Sequence, residues 1–152
     1  MDPDRSLLLP RSISQRQLSS AYSIHAMSKL TYVKGDLFAA PAGSILVQAC
    51  NTQGSWGAGI AVAFKDKYPA AFQQYKAHCE THGQALVGTC LLIPGETHVV
   101  ACLFTSRAYG RRKDAPADIL AATQTAVQDL IDQNVDGKPL HAWCVAVSSS
   151  TA

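Results

Sequence analysis

Hydrophobic residues along this chain gather into short runs that predict β-strands. Residues 45–50, ILVQAC, form a near-continuous apolar run, which is typical of a strand covered on both faces. Residues 89–93 and 98–104 are two more such runs, and the Pro-Gly turn between them predicts a hairpin. A short β-branched and aromatic strand is predicted at 30–34, and a last buried strand at 140–147.

Two helices are predicted between the first apolar run and the hairpin. The first carries apolar residues at helical spacing from Ile60 to Tyr68. The second begins at Pro69, whose missing N–H costs nothing in a first turn, and ends at Gly83. Its predicted inward face consists of Phe72, Tyr75, Lys76 and Cys79.

A third helix is predicted from Asp114 to about Asn134, where apolar residues recur at i, i+3 and i+4. Asp114 is expected to cap this helix, and Pro116 lies just inside its start. Because strands alternate with helices, the pattern predicts an α/β sheet covered by helices on both faces.

Composition limits the chain to one globular domain. Of 152 residues, 47% are hydrophobic and 16% charged, and the net charge of +2 is too small to imply a polyanionic partner. The five cysteines form no C-x-x-C pair, and the five histidines are scattered. We therefore expect buried thiols in a reducing compartment, no metal and no cofactor. No run approaches the ~18 apolar residues of a membrane span.

Residues 1–28 differ in composition from the rest of the chain. They are rich in Ser and Arg, and their apolar run Leu7-Leu8-Leu9 is too short for the core of a secretory signal. We interpret them as a disordered leader, ahead of a single domain at residues 29–152.

A glycine-rich loop, NTQGSWGAG, follows the first buried strand at residues 51–59. Gly54, Gly57 and Gly59 allow the backbone to approach an anion, and the helix after the loop offers unpaired N–H groups. The spacing matches neither G-x-G-x-x-G nor G-K-[ST]. From spacing alone, a phosphate loop and a tight strand-to-helix connection are equally good interpretations.

Four segments resemble macrodomains, and among these the fungal ADP-ribose 1''-phosphate phosphatases. They are KGDLF at 34–38, ACNTQGSWGAGIA at 49–61, LVGTCLLIP at 86–94 and CLFTSRAYGRR at 102–112. The similarity runs from about Lys29 to about Leu130. It implies a three-layer α/β/α sandwich with a mixed central sheet that binds ADP-ribose.

The resemblance also implies site residues. Asp36 would accept a hydrogen bond from the adenine amine, and Asn51 would reach the terminal ribose. Residues 56–61 would wrap the diphosphate. The Trp56 ring would either cover the sugar or pack the loop. The predicted catalytic positions are Asn51 and Gln48. The predicted substrate-binding positions are Gly35, Asp36, Leu37, Ala49, Cys50, Asn51, Trp56, Gly57, Ala58, Gly59, Ile60, Ala61, Thr105 and Ser106.

This sequence departs from the phosphatase pattern at two places. Gln48 stands where those phosphatases carry a histidine. If that histidine acts as an acid or base, this chain has lost the group, since an amide cannot shuttle protons; if it only orients the substrate, an amide could do the same. The chain also ends at Ala152 without the family's second phosphate loop and last helix, so we expect the domain to be truncated at its C-terminus.

The resemblance implies hydrolysis of ADP-ribose 1''-phosphate, a by-product of tRNA splicing, to ADP-ribose and phosphate. One alternative is a non-catalytic reader of ADP-ribose or of ADP-ribosylated proteins. A second is a hydrolase of ADP-ribosylated proteins, although the related glycohydrolases use a lysine near residues 105–107, where this chain has Arg107.

The expected partner is thus a small molecule, ADP-ribose 1''-phosphate or ADP-ribose, with no membrane and no direct nucleic acid, in the cytoplasm or nucleus. The cations Arg107, Arg111, Arg112 and Lys113 could steer such an anion, but we favour a solvated loop face.

Overall fold

A four-stranded mixed sheet forms the centre of the molecule. The computed structural model describes residues 30–143. The strands are β1 (Ile45–Asn51), β2 (Cys90–Ile93), β3 (Val99–Ser106) and β4 (Leu140–Ala142). Their order across the sheet is β2-β3-β1-β4. Strand β1 runs parallel to both β3 and β4, whereas β2 and β3 are antiparallel, which confirms the predicted hairpin.

Three helices follow the apolar periodicity of the sequence. They are α1 (Ile60–Lys67), α2 (Pro69–His82) and α3 (Pro116–Gln133). Pro69 and Pro116 lie in the first turns of α2 and α3, where a missing N–H leaves no bond unmade. Gly83 ends α2 with a φ of 55°, a conformation that favours glycine. No helix within residues 30–143 is long and apolar enough to cross a membrane.

The helices cover opposite faces of the sheet, as predicted. Leu46, Cys102 and Phe104 of the sheet pack with Phe64 of α1 and Tyr75 of α2 in one buried cluster. A second cluster joins Ile45, Val47, Ala101 and Leu103 of the sheet to Ala126 and Leu130 of α3. Side chains alternate between the two faces of a strand, so β1 and β3 contribute to both clusters. The result is a three-layer α/β/α sandwich.

Three sequence-based predictions are wrong in detail. Residues 30–34 form no strand. Residues 30–35 precede the compact body, which begins at Asp36. Lys76 is exposed, so the inward face of α2 consists of Ala71, Tyr75 and Cys79, with Phe72 half-buried. Asp114 does not cap α3, because its carboxylate is bound elsewhere and the N-cap position is Ala115.

The predicted strand at 140–147 is present as β4 over its first three residues. The rest of that strand, the leader at 1–28 and the end of the chain lie outside the described residues. The leader and the truncation therefore stay predictions.

Candidate functional site

Asn51 shapes the glycine-rich loop through its side chain. It is the last residue of β1, where the pairing with β3 is offset by an irregularity. The Asn51 Nδ2 donates to the Ser55 carbonyl at 2.8 Å, and Oδ1 accepts from the N–H groups of Gln53 at 3.0 Å and Ser55 at 3.3 Å. The amide therefore folds the chain back on itself immediately after the strand, as Asn side chains do in turns.

The Tyr75 hydroxyl of α2 holds Asn51 in place. This hydroxyl donates to the Asn51 carbonyl at 2.7 Å and lies 3.1 Å from the Asn51 Oδ1. With Oδ1 engaged, the Asn51 side chain keeps one N–H for a ligand. Helical periodicity predicted that Tyr75 faces inward, but no sequence signal indicated the target of its hydroxyl.

Five consecutive backbone amides make no hydrogen bond within the described part of the chain. Within the described residues, the N–H groups of Gly57, Ala58, Gly59, Ile60 and Ala61 donate no hydrogen bond to the chain, and Val62 is the first to bond back, to the Gly59 carbonyl at 3.2 Å. Gly59 is the N-cap of α1 and provides no side-chain cap. An anion bound here would meet unpaired donors and the positive end of the helix dipole.

Gly57 lies at the exposed surface of this bend. Its φ is not positive, and a Cβ added to it would meet only the Ser55 hydroxyl, at 3.3 Å. Gly59 differs, because its φ of 59° itself favours glycine. Neither backbone conformation nor packing within the described chain therefore requires glycine at position 57, which leaves space for a ligand beside the free amides.

Asp36 begins a short 3-10 turn, Leu37–Ala39, that packs against α1. One oxygen of its carboxylate accepts the Phe38 N–H at 2.9 Å, and the residue is exposed. The Phe38 ring lies edge-on to Phe64 of α1, with centroids 5.0 Å apart. The turn that carries Asp36 and the free amides at the start of α1 are thus anchored to the same helix.

Trp56 lies in the core, so the interpretation that its ring packs the loop is correct. The side chain is 2% exposed and stacks on Tyr75 with centroids 4.9 Å apart. Its ring also contacts Phe72 and Phe64. Such burial leaves the indole no surface with which to cover a sugar, and Trp56 instead fixes the start of the bend.

Gln48 is a buried amide without partners. It is 4% exposed, and neither its Oε1 nor its Nε2 makes a hydrogen bond within the described residues. Side-chain alternation along β1 places it on the face of Leu46 and Cys50, and it pairs in register with Cys102. An amide buried without partners is destabilising.

Replacing Gln48 with methionine, which is of similar size, is expected to raise the free energy of unfolding by about 1–2 kcal/mol, because the unsatisfied amide is removed. Urea denaturation measures the change. Gln73→Met, at an exposed position of α2, is the matched control and is expected to change stability little. A loss of stability in Gln48→Met would show that the native amide has a partner.

Ser106 and Asp114 close the loop that follows β3. The Ser106 hydroxyl donates to the Ala108 carbonyl and accepts the Asp114 N–H. The Asp114 carboxylate accepts from the backbone N–H and the Nε of Arg107, at 3.0 and 2.9 Å. These bonds, led by the backbone N–H, hold the pKa of Asp114 below its usual value. Both hydrogen bonds of the Ser106 hydroxyl therefore lie within this loop and help to fix its shape.

The other predicted positions differ in accessibility. Thr105 and Cys50 are buried, Leu37 is half-buried against the core, and Ala49 is exposed on β1. Gly35 precedes the compact body and is not placed relative to it. The structure therefore brings Asn51 together with residues 56–61 through the loop, and ties Ser106 to that loop through the Ser106 carbonyl, which accepts the Thr52 N–H.

The cysteines behave as buried hydrophobes. Cys50, Cys79, Cys90 and Cys102 are free and buried, whereas Cys144 lies outside the described residues. Burial raises the pKa of Cys90 to about 12 and raises that of Cys102 as well. Since the thiolate is the reactive form, these thiols are poor nucleophiles at neutral pH.

Comparisons with known proteins agree with this geometry. The Macro domain family model matches residues 47–146. The ADP-ribose 1''-phosphate phosphatase of Chaetomium globosum is 48% identical, over 70% of this chain and 63% of its own length. That of Neosartorya fischeri is 43% identical, over 70% of each chain. This chain thus spans less than two thirds of the length of the first relative and slightly more than two thirds of the length of the second.

Among solved structures, the macrodomain of Mycobacterium tuberculosis DarG superposes with a TM-score of 0.58 at 27% identity. The match covers 68% of this chain and 66% of that one. The sandwich architecture and the sequence similarity therefore point to the same family.

Proposed function

This chain belongs to the macro domain family, and on that premise we propose that it binds ADP-ribose 1''-phosphate and hydrolyses the terminal phosphate ester. The relatives from Chaetomium globosum and Neosartorya fischeri carry the name of that activity. The observation that carries the proposal is the row of five free amides at residues 57–61, on an exposed bend at the start of α1.

The bend has the properties that a diphosphate needs. Backbone N–H groups donate to phosphate oxygens without carrying a net charge that must be desolvated, and the dipole of α1 adds a favourable potential. The Asn51 side chain and the buried Trp56 fix the chain that leads into the bend, so little conformational entropy is lost there when the ligand binds. Gly57 leaves the space that the ligand would fill.

Asn51 and Asp36 would hold the two ends of the nucleotide. The remaining Nδ2–H of Asn51 would donate to a hydroxyl of the terminal ribose. The Asp36 carboxylate has one oxygen bound to the Phe38 N–H, and its other oxygen would accept from the adenine amine. Both roles agree with those expected from the resemblance.

The proposed reaction is a phosphomonoester hydrolysis. Water attacks the terminal phosphorus, the bond from phosphorus to the ribose O1'' breaks, and the departing oxygen takes up a proton, so that ADP-ribose and inorganic phosphate are released. The chain contributes positioning and charge stabilisation through the amides of residues 57–61 and Asn51. Gln48 cannot transfer a proton, so it provides no general acid or base for the reaction.

A non-catalytic ADP-ribose reader is the second candidate, and Gln48 is the observation that favours it. Replacing that histidine with an amide leaves the free amides of residues 57–61 intact and so preserves binding. Hydrolysis of ADP-ribosylated proteins is less favoured, because Arg107 stands where the related glycohydrolases use a lysine, and its guanidinium is paired with Asp114.

We further propose that the protein acts on a small molecule, rather than on nucleic acid, in a reducing compartment, the cytoplasm or the nucleus. The four free, buried cysteines support the reducing compartment.

Two measurements on the full chain separate the candidates. Calorimetry is expected to detect ADP-ribose binding, and a phosphate-release assay is expected to detect turnover of ADP-ribose 1''-phosphate. Binding without phosphate release would favour the reader. The absence of both from a cooperatively folded protein would contradict the proposed function.

A further inference from the structure

A groove of about 790 Å³ lies where β1 and β3 end. Thr52 and Gln53, directly after β1, form part of its wall. The last turns of α2 contribute Cys79 and Glu80, and residues 109–112 line it from the loop after β3. The predicted diphosphate bend at residues 57–61 is not part of this lining, so the groove is a separate feature of the same sheet edge.

Two guanidinium groups line this groove without partners. Across residues 30–143, the one ion pair joins Arg107 to Asp114, and neither Arg111 nor Arg112 makes a side-chain hydrogen bond. Glu80 is the carboxylate in the lining, so the groove carries two positive charges against one negative charge. Unpaired arginines in a concave site favour an anion that can accept several N–H groups, above all a phosphate.

The backbone that carries Arg111 and Arg112 is held in place. The Thr52 N–H donates to the Ser106 carbonyl at 3.2 Å, and the Thr52 hydroxyl donates to the Arg107 carbonyl at 2.9 Å. At the other end, Asp114 accepts two bonds from Arg107. The loop is therefore closed at its base and attached to the end of β1, which lowers the entropic cost of presenting the two arginines.

Asn51 connects the groove to the proposed site. Its Oδ1 accepts the N–H of Gln53, a wall residue of the groove, and its Nδ2 donates to the Ser55 carbonyl, at the start of the diphosphate bend. A ribose at Asn51 would therefore have amide donors for its diphosphate on one side and arginines on the other. We propose that Arg111 and Arg112 bind the terminal phosphate of ADP-ribose 1''-phosphate and thereby select this substrate over plain ADP-ribose. This inference rests on the proposed function.

The test compares two double variants of the full chain. Arg111→Gln/Arg112→Gln removes both groove cations. Lys113→Gln/Lys138→Gln removes the same charge outside the lining and is the matched control. Affinities for ADP-ribose and ADP-ribose 1''-phosphate are measured by competition against a fluorescent ADP-ribose derivative, before any turnover. Thermal unfolding verifies that both variants are folded, as expected because Arg111, Arg112 and Lys113 are exposed and the half-buried Lys138 makes no side-chain hydrogen bond among the described residues.

The arginine variant is expected to bind ADP-ribose 1''-phosphate at least about tenfold more weakly while its affinity for ADP-ribose changes by less than about twofold. The control variant should bind both ligands nearly as the native chain does. Equal losses for both ligands, a comparable loss in the control, or no loss at all would overturn the proposal. If the native chain binds neither ligand, it is the proposed function that fails.

Discussion

Gly57→Val is expected to weaken ADP-ribose binding by at least about 100-fold, which corresponds to ~2.7 kcal/mol. The valine side chain would occupy the open space beside the free amides of residues 57–61 and hold the diphosphate away from them. A hydrogen bond to a charged group contributes about 1.5–3 kcal/mol, so losing one or two of these bonds suffices. Calorimetric titration with ADP-ribose measures the loss.

The same change should leave folding nearly intact. Gly57 is exposed, its φ is not positive, and its neighbouring atom is the movable Ser55 hydroxyl. We expect the free energy of unfolding to change by no more than about 0.5 kcal/mol. Ala77→Val, at an exposed position of α2, adds two methyl groups where Gly57→Val adds a whole isopropyl group, and it should bind normally. A folded Gly57→Val protein with native affinity would mean that these amides do not face the ligand.

Asn51→Ala is expected to lower the free energy of unfolding by about 2–3 kcal/mol and to abolish ADP-ribose binding. The substitution removes the bond from Nδ2 to the Ser55 carbonyl and leaves the N–H groups of Gln53 and Ser55 without their acceptor. At about 1 kcal/mol for each lost bond, the sum lies in that range. Urea denaturation and calorimetry measure the two effects on the same sample.

Asn51→Asp separates the shaping of the loop from contact with the ligand. An aspartate keeps an acceptor for Gln53 and Ser55 but loses the donor and adds a negative charge near the proposed diphosphate. We expect a smaller loss of stability than in Asn51→Ala, but an equally large loss of binding. If Asn51→Asp still bound ADP-ribose, the Asn51 side chain could not lie near the diphosphate of the ligand.

The sequence predicted the framework well because the signals are local. Continuous apolar runs marked β1, β2 and β3, and helical periodicity with Pro69, Gly83 and Pro116 marked α2 and α3. A strand buried on both faces is apolar along most of its length, whatever its neighbours are. Residues 30–34 show the limit of that argument, since β propensity alone did not produce a strand there.

What the sequence determined by itself is thus the order of elements, the location of the glycine-rich bend and the family. Only the tertiary structure decided the roles of polar and aromatic side chains. It brought the Tyr75 hydroxyl to the Asn51 carbonyl and the Thr52 hydroxyl to the Arg107 carbonyl. It also buried Trp56 and left the Gln48 amide without a partner among residues 30–143. Apolar burial follows a repeating pattern along the chain, whereas a polar group takes whichever partner the fold brings within about 3 Å, and that partner is often distant in sequence.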